Sequence, residues 1–125
     1  MIIKNILIVD DSRTEQVYLS EMLASEGYAT QMASDTAEAQ QIINMKRPDL
    51  ILLDIVMPGQ NGFQFARQLS RDAVTADIPV ILCTSKDQET DRVWGMRQGA
   101  KAYIVKPVQK AVLLAQIKAI LSSEH

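Results

Sequence analysis

Five polar side chains that could act together each follow or end a short apolar run: Asp10, Asp11, Asp54, Thr84 and Lys106. Two carboxylates about 4 Å apart repel each other by about 4 kcal/mol at an effective dielectric constant near 20. Such a group therefore takes up a proton or a cation. Oxygen ligands without cysteine or histidine select a hard ion, and few protein ligands with room for water favour Mg²⁺ over Ca²⁺.

A cation beside a lysine and a hydroxyl group is typical of a phosphoryl-transfer site. The cation and Lys106 would neutralise phosphoryl oxygens, and Thr84 would donate a hydrogen bond to another. A carboxylate can itself be the nucleophile and form an aspartyl phosphate. Asp54 is the best candidate, because it ends the strand expected at the centre of the sheet. Asp10 and Asp11 end a neighbouring strand.

Each of these residues also has a plainer interpretation. Asp10 and Asp11 could cap the helix that follows them, where the helix dipole favours acidic groups. Asp54 could be an ordinary loop residue, and Thr84 and Lys106 are uninformative alone. The chemical hypothesis depends on all five lying at one edge of one sheet.

The apolar runs predict the strands of that sheet. Four runs are rich in Ile, Val and Leu without alternation, which is typical of strands buried on both faces; they are Ile6–Val9, Leu50–Leu53, Val80–Cys83 and Tyr103–Val105. The more polar segment Tyr28–Ala33 suits an edge strand.

Amphipathic stretches of helical length follow every strand. The first begins with Ser12-Arg13-Thr14-Glu15, a capping-box pattern, and ends at Gly27. The third begins near Gly62, and the fourth begins near Asp87 and ends before Gly99. Five β-α units predict an α/β fold with a parallel sheet between two layers of helices. Sites in such sheets lie at the carboxyl ends of the strands, where the five polar residues would meet.

Composition limits the classes of function. The 125 residues, 47% hydrophobic and 22% charged, predict a single domain over 1–125 with no output domain. A net charge of −2 without a basic stripe argues against nucleic acid as the partner. The apolar start ends at Asp10, which excludes membrane insertion by that segment and leads us to expect a cytoplasmic protein. His125, the one histidine, is expected to be solvated and without a role.

Over residues of about 4 to 121 the chain resembles the receiver domain of two-component response regulators. The motifs that carry the resemblance are Ile8-Val9-Asp10-Asp11-Ser12, Leu53-Asp54-Ile55-Val56-Met57-Pro58-Gly59, Thr84-Ser85, Gly99-Ala100 and Tyr103-Ile104-Val105-Lys106-Pro107. The resemblance implies a flavodoxin-like (βα)5 three-layer sandwich with strand order 2-1-3-4-5.

The same resemblance assigns roles around the acidic pocket. Asp54 is similar to the phosphoacceptor. Asp11 is similar to the direct Mg²⁺ ligand, with Asp10 acting mostly through bound water. The backbone carbonyl of Val56 would complete the set. Lys106 is similar to the lysine that binds the phosphoryl group, and a cis peptide bond would join it to Pro107.

A second set of roles concerns the switch. Thr84 resembles the hydroxyl that is drawn toward the phosphoryl group, and Tyr103 resembles the aromatic residue that swings inward with it. The output surface would comprise the fourth helix, fifth strand and fifth helix, with Arg92 and Met96 contacting a partner.

The resemblance implies a signalling protein rather than an enzyme acting on a separate substrate. It would take its phosphoryl group from the phosphohistidine of a sensor histidine kinase, catalyse its own phosphotransfer and slow autodephosphorylation, and bind a downstream protein target. It would be a monomer or a weak dimer that forms on phosphorylation. Residues 84–95 and 54–64 also resemble stand-alone receivers of chemotaxis-like systems that control pili and twitching motility.

In the family that the chain resembles, two variable positions tune how water reaches the aspartyl phosphate. They are Val56, two residues after the acceptor, and Lys86, two residues after the switch threonine. An apolar Val56 should hinder water, and Lys86 could pair with the phosphoryl group, so we expect slow decay.

Alternative functions remain. The chain could drain phosphoryl groups from a kinase, or it could be a phosphorylation-independent scaffold, although a scaffold would be expected to lack one of Asp54, Thr84 and Lys106. A haloacid-dehalogenase-type enzyme needs acids two apart after the first strand, and here they are adjacent. A flavodoxin-like cofactor binder needs a phosphate loop where Asp10 and Asp11 would repel phosphate.

Overall fold

The computed structural model of the protein describes residues 2–57 and 59–122. Pro58 of the acceptor motif and the C-terminal His125 lie outside the described residues. Within the described ranges, five strands alternate with five helices. The strands are β1 (Asn5–Val9), β2 (Ala29–Ala33), β3 (Leu50–Leu53), β4 (Val80–Thr84) and β5 (Ala102–Val105). The helices are α1 (Arg13–Ala24), α2 (Thr36–Met45), α3 (Gly62–Arg71), α4 (Glu89–Arg97) and α5 (Lys110–Ser122).

All strand pairs are parallel, and the order is β2-β1-β3-β4-β5, which confirms the predicted topology. In the register of the sheet Val9 pairs with Leu53, and Leu53 pairs with Leu82. The central strand β3 therefore ends between its two neighbours, and the loop after it opens at the middle of the carboxyl edge.

Alternating strand residues supply two apolar layers. Ile8 and Leu52 pack on one face with Leu19 of α1 and Leu113 of α5. Leu7, Val9, Ile51 and Leu53 pack on the other face with residues of α2 and α3, among them Phe65. Both faces of β1 and β3 are thus buried, which is why these strands consist of unbroken apolar runs.

Cys83 of β4 is a buried core residue. Burial raises the pKa of its thiol to about 12, so it remains a neutral, apolar packing group. Among the described residues, no helix is both long and apolar enough to cross a membrane.

The structure confirms the predicted start of α1 at Ser12, but the predicted capping box is only half formed. Ser12 accepts a hydrogen bond from the Glu15 backbone N–H at 3.3 Å, which is one half of a capping box. The other half is absent, because the Ser12 N–H donates to Asp10 Oδ1 at 2.9 Å instead of to Glu15. A complete capping box forms at α3, between Asn61 and Gln64. Helix α4 begins at Glu89, two residues later than predicted.

Candidate functional site

The carboxyl edge of the sheet brings the three predicted carboxylates together. Carboxylate oxygens of Asp10, Asp11 and Asp54 all lie within 4.8 Å of one another. Asp10 and Asp54 are buried, at 2% and 7% exposure, whereas Asp11 is exposed. A set of oxygen donors with one exposed member fits a hard divalent cation that keeps part of its hydration shell. These residues can therefore hold a cation such as Mg²⁺.

Lys106 reaches this cluster from the end of β5. Its ammonium group donates to Asp10 Oδ2 at 2.7 Å and to Asp54 Oδ2 at 3.0 Å. Burial alone would lower the pKa of Lys106, but these two hydrogen bonds raise it above its ordinary value. Burial raises the pKa of Asp10, although the hydrogen bond from Lys106 opposes that rise. One lysine thus partners two buried carboxylates on different strands.

Backbone amides orient the same two carboxylates through their other oxygens. The Ser12 N–H donates to Asp10 Oδ1, and the Val56 N–H donates to Asp54 Oδ1 at 3.1 Å. Each of the two carboxylates is thus bonded through both of its oxygens, which favours one orientation. The N–H of Val56 therefore belongs to the site, and its carbonyl remains a predicted ligand.

Gln16, which the sequence analysis missed, bonds to the backbone of Asp10. The side-chain amide of Gln16 is buried and donates to the Asp10 carbonyl at 2.6 Å and to Ser34 Oγ at 3.2 Å. Gln16 lies three residues before Leu19 on the buried face of α1. A polar residue on an otherwise apolar face was the signal that could have revealed it.

Thr84 and Tyr103 are connected through the backbone of one residue. The Lys86 N–H donates to Thr84 Oγ1 at 3.3 Å, and the Tyr103 hydroxyl donates to the Lys86 carbonyl at 2.9 Å. Burial and the negative charges of Asp91 and Asp54 raise the pKa of Tyr103 to about 12, so it stays a donor at neutral pH. Thr84 is fully buried, and Tyr103 is half-buried.

A cavity of about 300 Å³ opens beside the loop that carries Asp54. Its walls are Ile55, Val56, Met57, Asn61, Phe63 and Lys86. Val56 is 51% exposed, and the Lys86 ammonium lies 3.8 Å from Asp91. The two variable positions thus line one cavity, with the lysine turned toward an acidic residue of α4.

The predicted partner residues Arg92 and Met96 lie exposed on α4. Trp94 on the same helix is 48% exposed, so about half of its surface contacts solvent. The peptide bond between Lys106 and Pro107 is cis, as the family resemblance implied.

Comparison with known proteins agrees with this geometry. Residues 6–118 match the model of the response regulator receiver domain. PilH of Pseudomonas aeruginosa is 51% identical over 117 residues, covering 94% of this chain and 97% of PilH. The phosphate regulon transcriptional regulatory protein PhoB of the same species is 41% identical over 121 residues, covering 97% of this chain but 53% of PhoB.

Solved structures show the same fold. A response regulator from Chloroflexus aurantiacus superposes with a TM-score of 0.90 at 28% identity, covering 97% of this chain and 99% of that one. The chemotaxis protein CheY4 of Vibrio cholerae superposes with a TM-score of 0.87 at 27% identity, covering 95% of this chain and 99% of that one. The chain belongs to the response regulator receiver domain family.

Proposed function

We propose that Asp54 accepts a phosphoryl group from the phosphohistidine of a sensor histidine kinase. Asp10, Asp11, Asp54 and the Val56 carbonyl would hold the Mg²⁺ ion that this transfer requires. The observation that carries the proposal is the ammonium group of Lys106, which bonds to Asp10 and Asp54 at once beside an exposed Asp11. Phosphoryl transfer needs positive charge held in place around the phosphoryl oxygens. Carboxylates that bind a cation, together with a lysine beside them, provide that charge.

In the transfer, an Asp54 carboxylate oxygen forms a bond to phosphorus while the phosphorus–nitrogen bond of the phosphohistidine breaks. The electron pair of that bond stays on the imidazole nitrogen. Asp54 attacks as a carboxylate anion, so no proton has to leave the nucleophile. Bound Mg²⁺ supplies positive charge against the phosphoryl oxygens. Lys106 supplies a second positive charge, released from one of its carboxylate partners. Burial of Asp54 keeps competing water from the reacting oxygen.

The phosphoryl group would act as a switch through Thr84. Its hydroxyl would turn to donate to a phosphoryl oxygen and lose its bond from the Lys86 N–H. The Lys86 backbone would then shift, which weakens the hydrogen bond from Tyr103 to the Lys86 carbonyl. The Tyr103 ring is thereby released to move inward, so the state of Asp54 biases the position of an aromatic side chain.

The output surface would be formed by α4, β5 and α5. Exposed apolar side chains recur across these three elements at Val93, Trp94, Met96, Val105 and Val112. Together with Arg92 they offer apolar and basic contacts to a downstream protein target. Exposed apolar residues on neighbouring elements are typical of an interaction surface where they form a contiguous patch. A phosphate sink or a phosphorylation-independent scaffold is the alternative function.

We propose further that residues 1–125 act as a single receiver domain in the cytoplasm. The alignment with PilH runs over 94% of this chain and 97% of PilH, which supports reading these residues as one receiver unit. The same match supports a role in a chemotaxis-like system for pili and twitching motility. The domain would be a monomer or a weak dimer on phosphorylation, and its slow autodephosphorylation would reset it.

Intact mass spectrometry after incubation with a small acyl phosphate tests the proposed chemistry. We expect a single phosphoryl adduct with Mg²⁺ present and none when a chelator removes the ion, because the carboxylates otherwise repel the donor. An adduct of equal yield in both samples would contradict the role of the cation. Absence of any adduct with acyl phosphate and with an active histidine kinase would favour the scaffold.

The lifetime of the adduct should depend on the cavity beside Asp54. In a variant with Val56→Asn and Lys86→Glu, we expect several-fold faster loss of the phosphoryl group, because polar and acidic groups admit and orient water there. The decay of the adduct mass over time, after removal of the acyl phosphate and with Mg²⁺ kept present, measures this rate. Decay in the wild type that is as fast as in the double variant would contradict the prediction.

A further inference from the structure

Glu15 is a fourth carboxylate at the start of α1, and its side chain takes no part in the hydrogen bonds of the acidic pocket described above. Its Oε1 atom is shielded from solvent and has no hydrogen-bond partner among the described residues. A carboxylate oxygen in that situation is costly, because water has been removed and no donor replaces it. Such an atom calls for a donor that the protein itself does not supply.

The capping arrangement of α1 explains why Glu15 is free. In a capping box this glutamate would accept the Ser12 N–H. Here Asp10 Oδ1 takes that N–H at 2.9 Å, while the Glu15 backbone N–H still donates to Ser12 Oγ. The carboxylate that orients the cation pocket has therefore displaced the Glu15 side chain from its local partner.

The charges around Glu15 are those of the pocket itself. Burial raises the pKa of its carboxyl group, the charge of Lys106 lowers it, and Asp10 raises it further. No ion pair within 4.0 Å joins Glu15 to Lys106, whose ammonium group pairs with Asp10 and Asp54. Ser12 bonds to both Asp10 and Glu15, through its N–H to the Asp10 carboxylate and through its Oγ to the Glu15 backbone N–H, so Glu15 lies in the first turn of α1 directly beside the pocket. A water molecule can bridge two polar groups that lie too far apart for a direct hydrogen bond.

We propose that Glu15 is a positioning residue for the cation, whose Oε1 accepts a hydrogen bond from a water molecule in the hydration shell of Mg²⁺. This inference rests on the proposed function, because it needs the cation at Asp10, Asp11 and Asp54. A cation-bound water is a strong donor, and a carboxylate is its best acceptor. Groups that hold the ligands of a metal in this indirect way contribute substantially to its affinity.

Calorimetric titration of MgCl₂ into three proteins tests the proposal: the wild type, Glu15→Gln and Glu21→Gln. Glu21 lies on the exposed side of the same helix, so both variants lose one negative charge and only one of them alters the pocket. We expect Glu15→Gln to bind Mg²⁺ about tenfold more weakly than the wild type. We expect Glu21→Gln to bind like the wild type.

A second measurement separates positioning from a structural role. Without Mg²⁺ the free energy of unfolding of Glu15→Gln should equal or exceed that of the wild type, because an unpartnered carboxylate is removed. The stabilisation that added Mg²⁺ brings should be smaller in Glu15→Gln. A variant that is less stable than the wild type in a chelator would mark Glu15 as a structural residue and overturn the proposal.

The possible outcomes distinguish this inference from the proposed function. Equal Mg²⁺ affinity of Glu15→Gln and the wild type would overturn the role of Glu15 and leave the carboxylate site intact. Equal weakening of both variants would also overturn it, because net charge alone would then account for the effect. If the wild type itself bound no Mg²⁺, the metal site of the proposed function would fail, and the role of Glu15 would fail with it.

Discussion

Asp54→Asn is expected to abolish phosphoryl labelling completely. An amide oxygen is a poor nucleophile and cannot form an acyl phosphate, whereas the Asp54 carboxylate can. The fold should survive, because Lys106 still bonds to Asp10 and the asparagine oxygen can still accept the Val56 N–H. Intact mass after incubation with an acyl phosphate and Mg²⁺ measures the labelling, and urea unfolding measures the stability.

A matched control is Asp35→Asn, which makes the same chemical change at the start of α2. Asp35 caps that helix by accepting the Glu38 N–H at 2.8 Å, and asparagine caps a helix about as well. This variant should be labelled like the wild type. A phosphoryl adduct of wild-type yield in Asp54→Asn would assign the acceptor to another residue and contradict the proposed site.

Gly62→Ala is expected to lower the free energy of unfolding by about 3 kcal/mol, the upper part of the range for overpacked sites. A Cβ atom at Gly62 would lie 2.3 Å from the Asp54 carbonyl oxygen and 2.6 Å from Ile55 Cα. The Gly62 N–H also donates to the Ile55 carbonyl at 2.8 Å, so the first residue of α3 is pressed against this loop. These contacts are with backbone atoms, which cannot avoid the added Cβ by a change of rotamer as a side chain can. The loop must move, and we expect slower labelling of Asp54 as well.

Gly27→Ala provides the contrast. Gly27 has a φ of 91°, and nothing lies within 4 Å of the Cβ that would be added, so only backbone strain opposes the change. That strain costs about 1 kcal/mol. Urea unfolding of both variants, with the rate of labelling by acyl phosphate, measures the difference. If Gly62→Ala lowered the free energy of unfolding no more than Gly27→Ala does, the prediction would be wrong, because the loop after β3 would then move aside at little energetic cost.

Much of this fold could be predicted from local pattern. Unbroken Ile, Val and Leu runs mark strands with two buried faces, and β3 was placed to the residue because all four of its side chains are buried. Helix α4 begins at Glu89, two residues after the start that the sequence predicts. Gln88 makes no side-chain capping bond there, so no local signal marks the boundary.

The sequence predicts which residues form the pocket, but not which of them bond to each other. Chain order and the rule for parallel sheets brought the acidic residues, Thr84 and Lys106 to one edge. The pairing within it was not predictable, because Lys106 and Asp10 are 96 residues apart in the chain. Which carboxylates share one ammonium group depends on how far each strand extends and on how the loops turn.

The sequence by itself determined the class of fold, the edge of the sheet that carries the chemistry and the side chains that stand there. These follow from hydrophobic periodicity and residue type, which are local properties of the chain. Only the tertiary structure decided that the Ser12 N–H donates to Asp10 and not to the Glu15 side chain. It also decided that the Lys86 backbone links Thr84 to Tyr103 and that α3 approaches the backbone of Asp54. Each of these is a competition or a contact between groups on different elements, and its outcome depends on distances that exist only after the sheet has assembled.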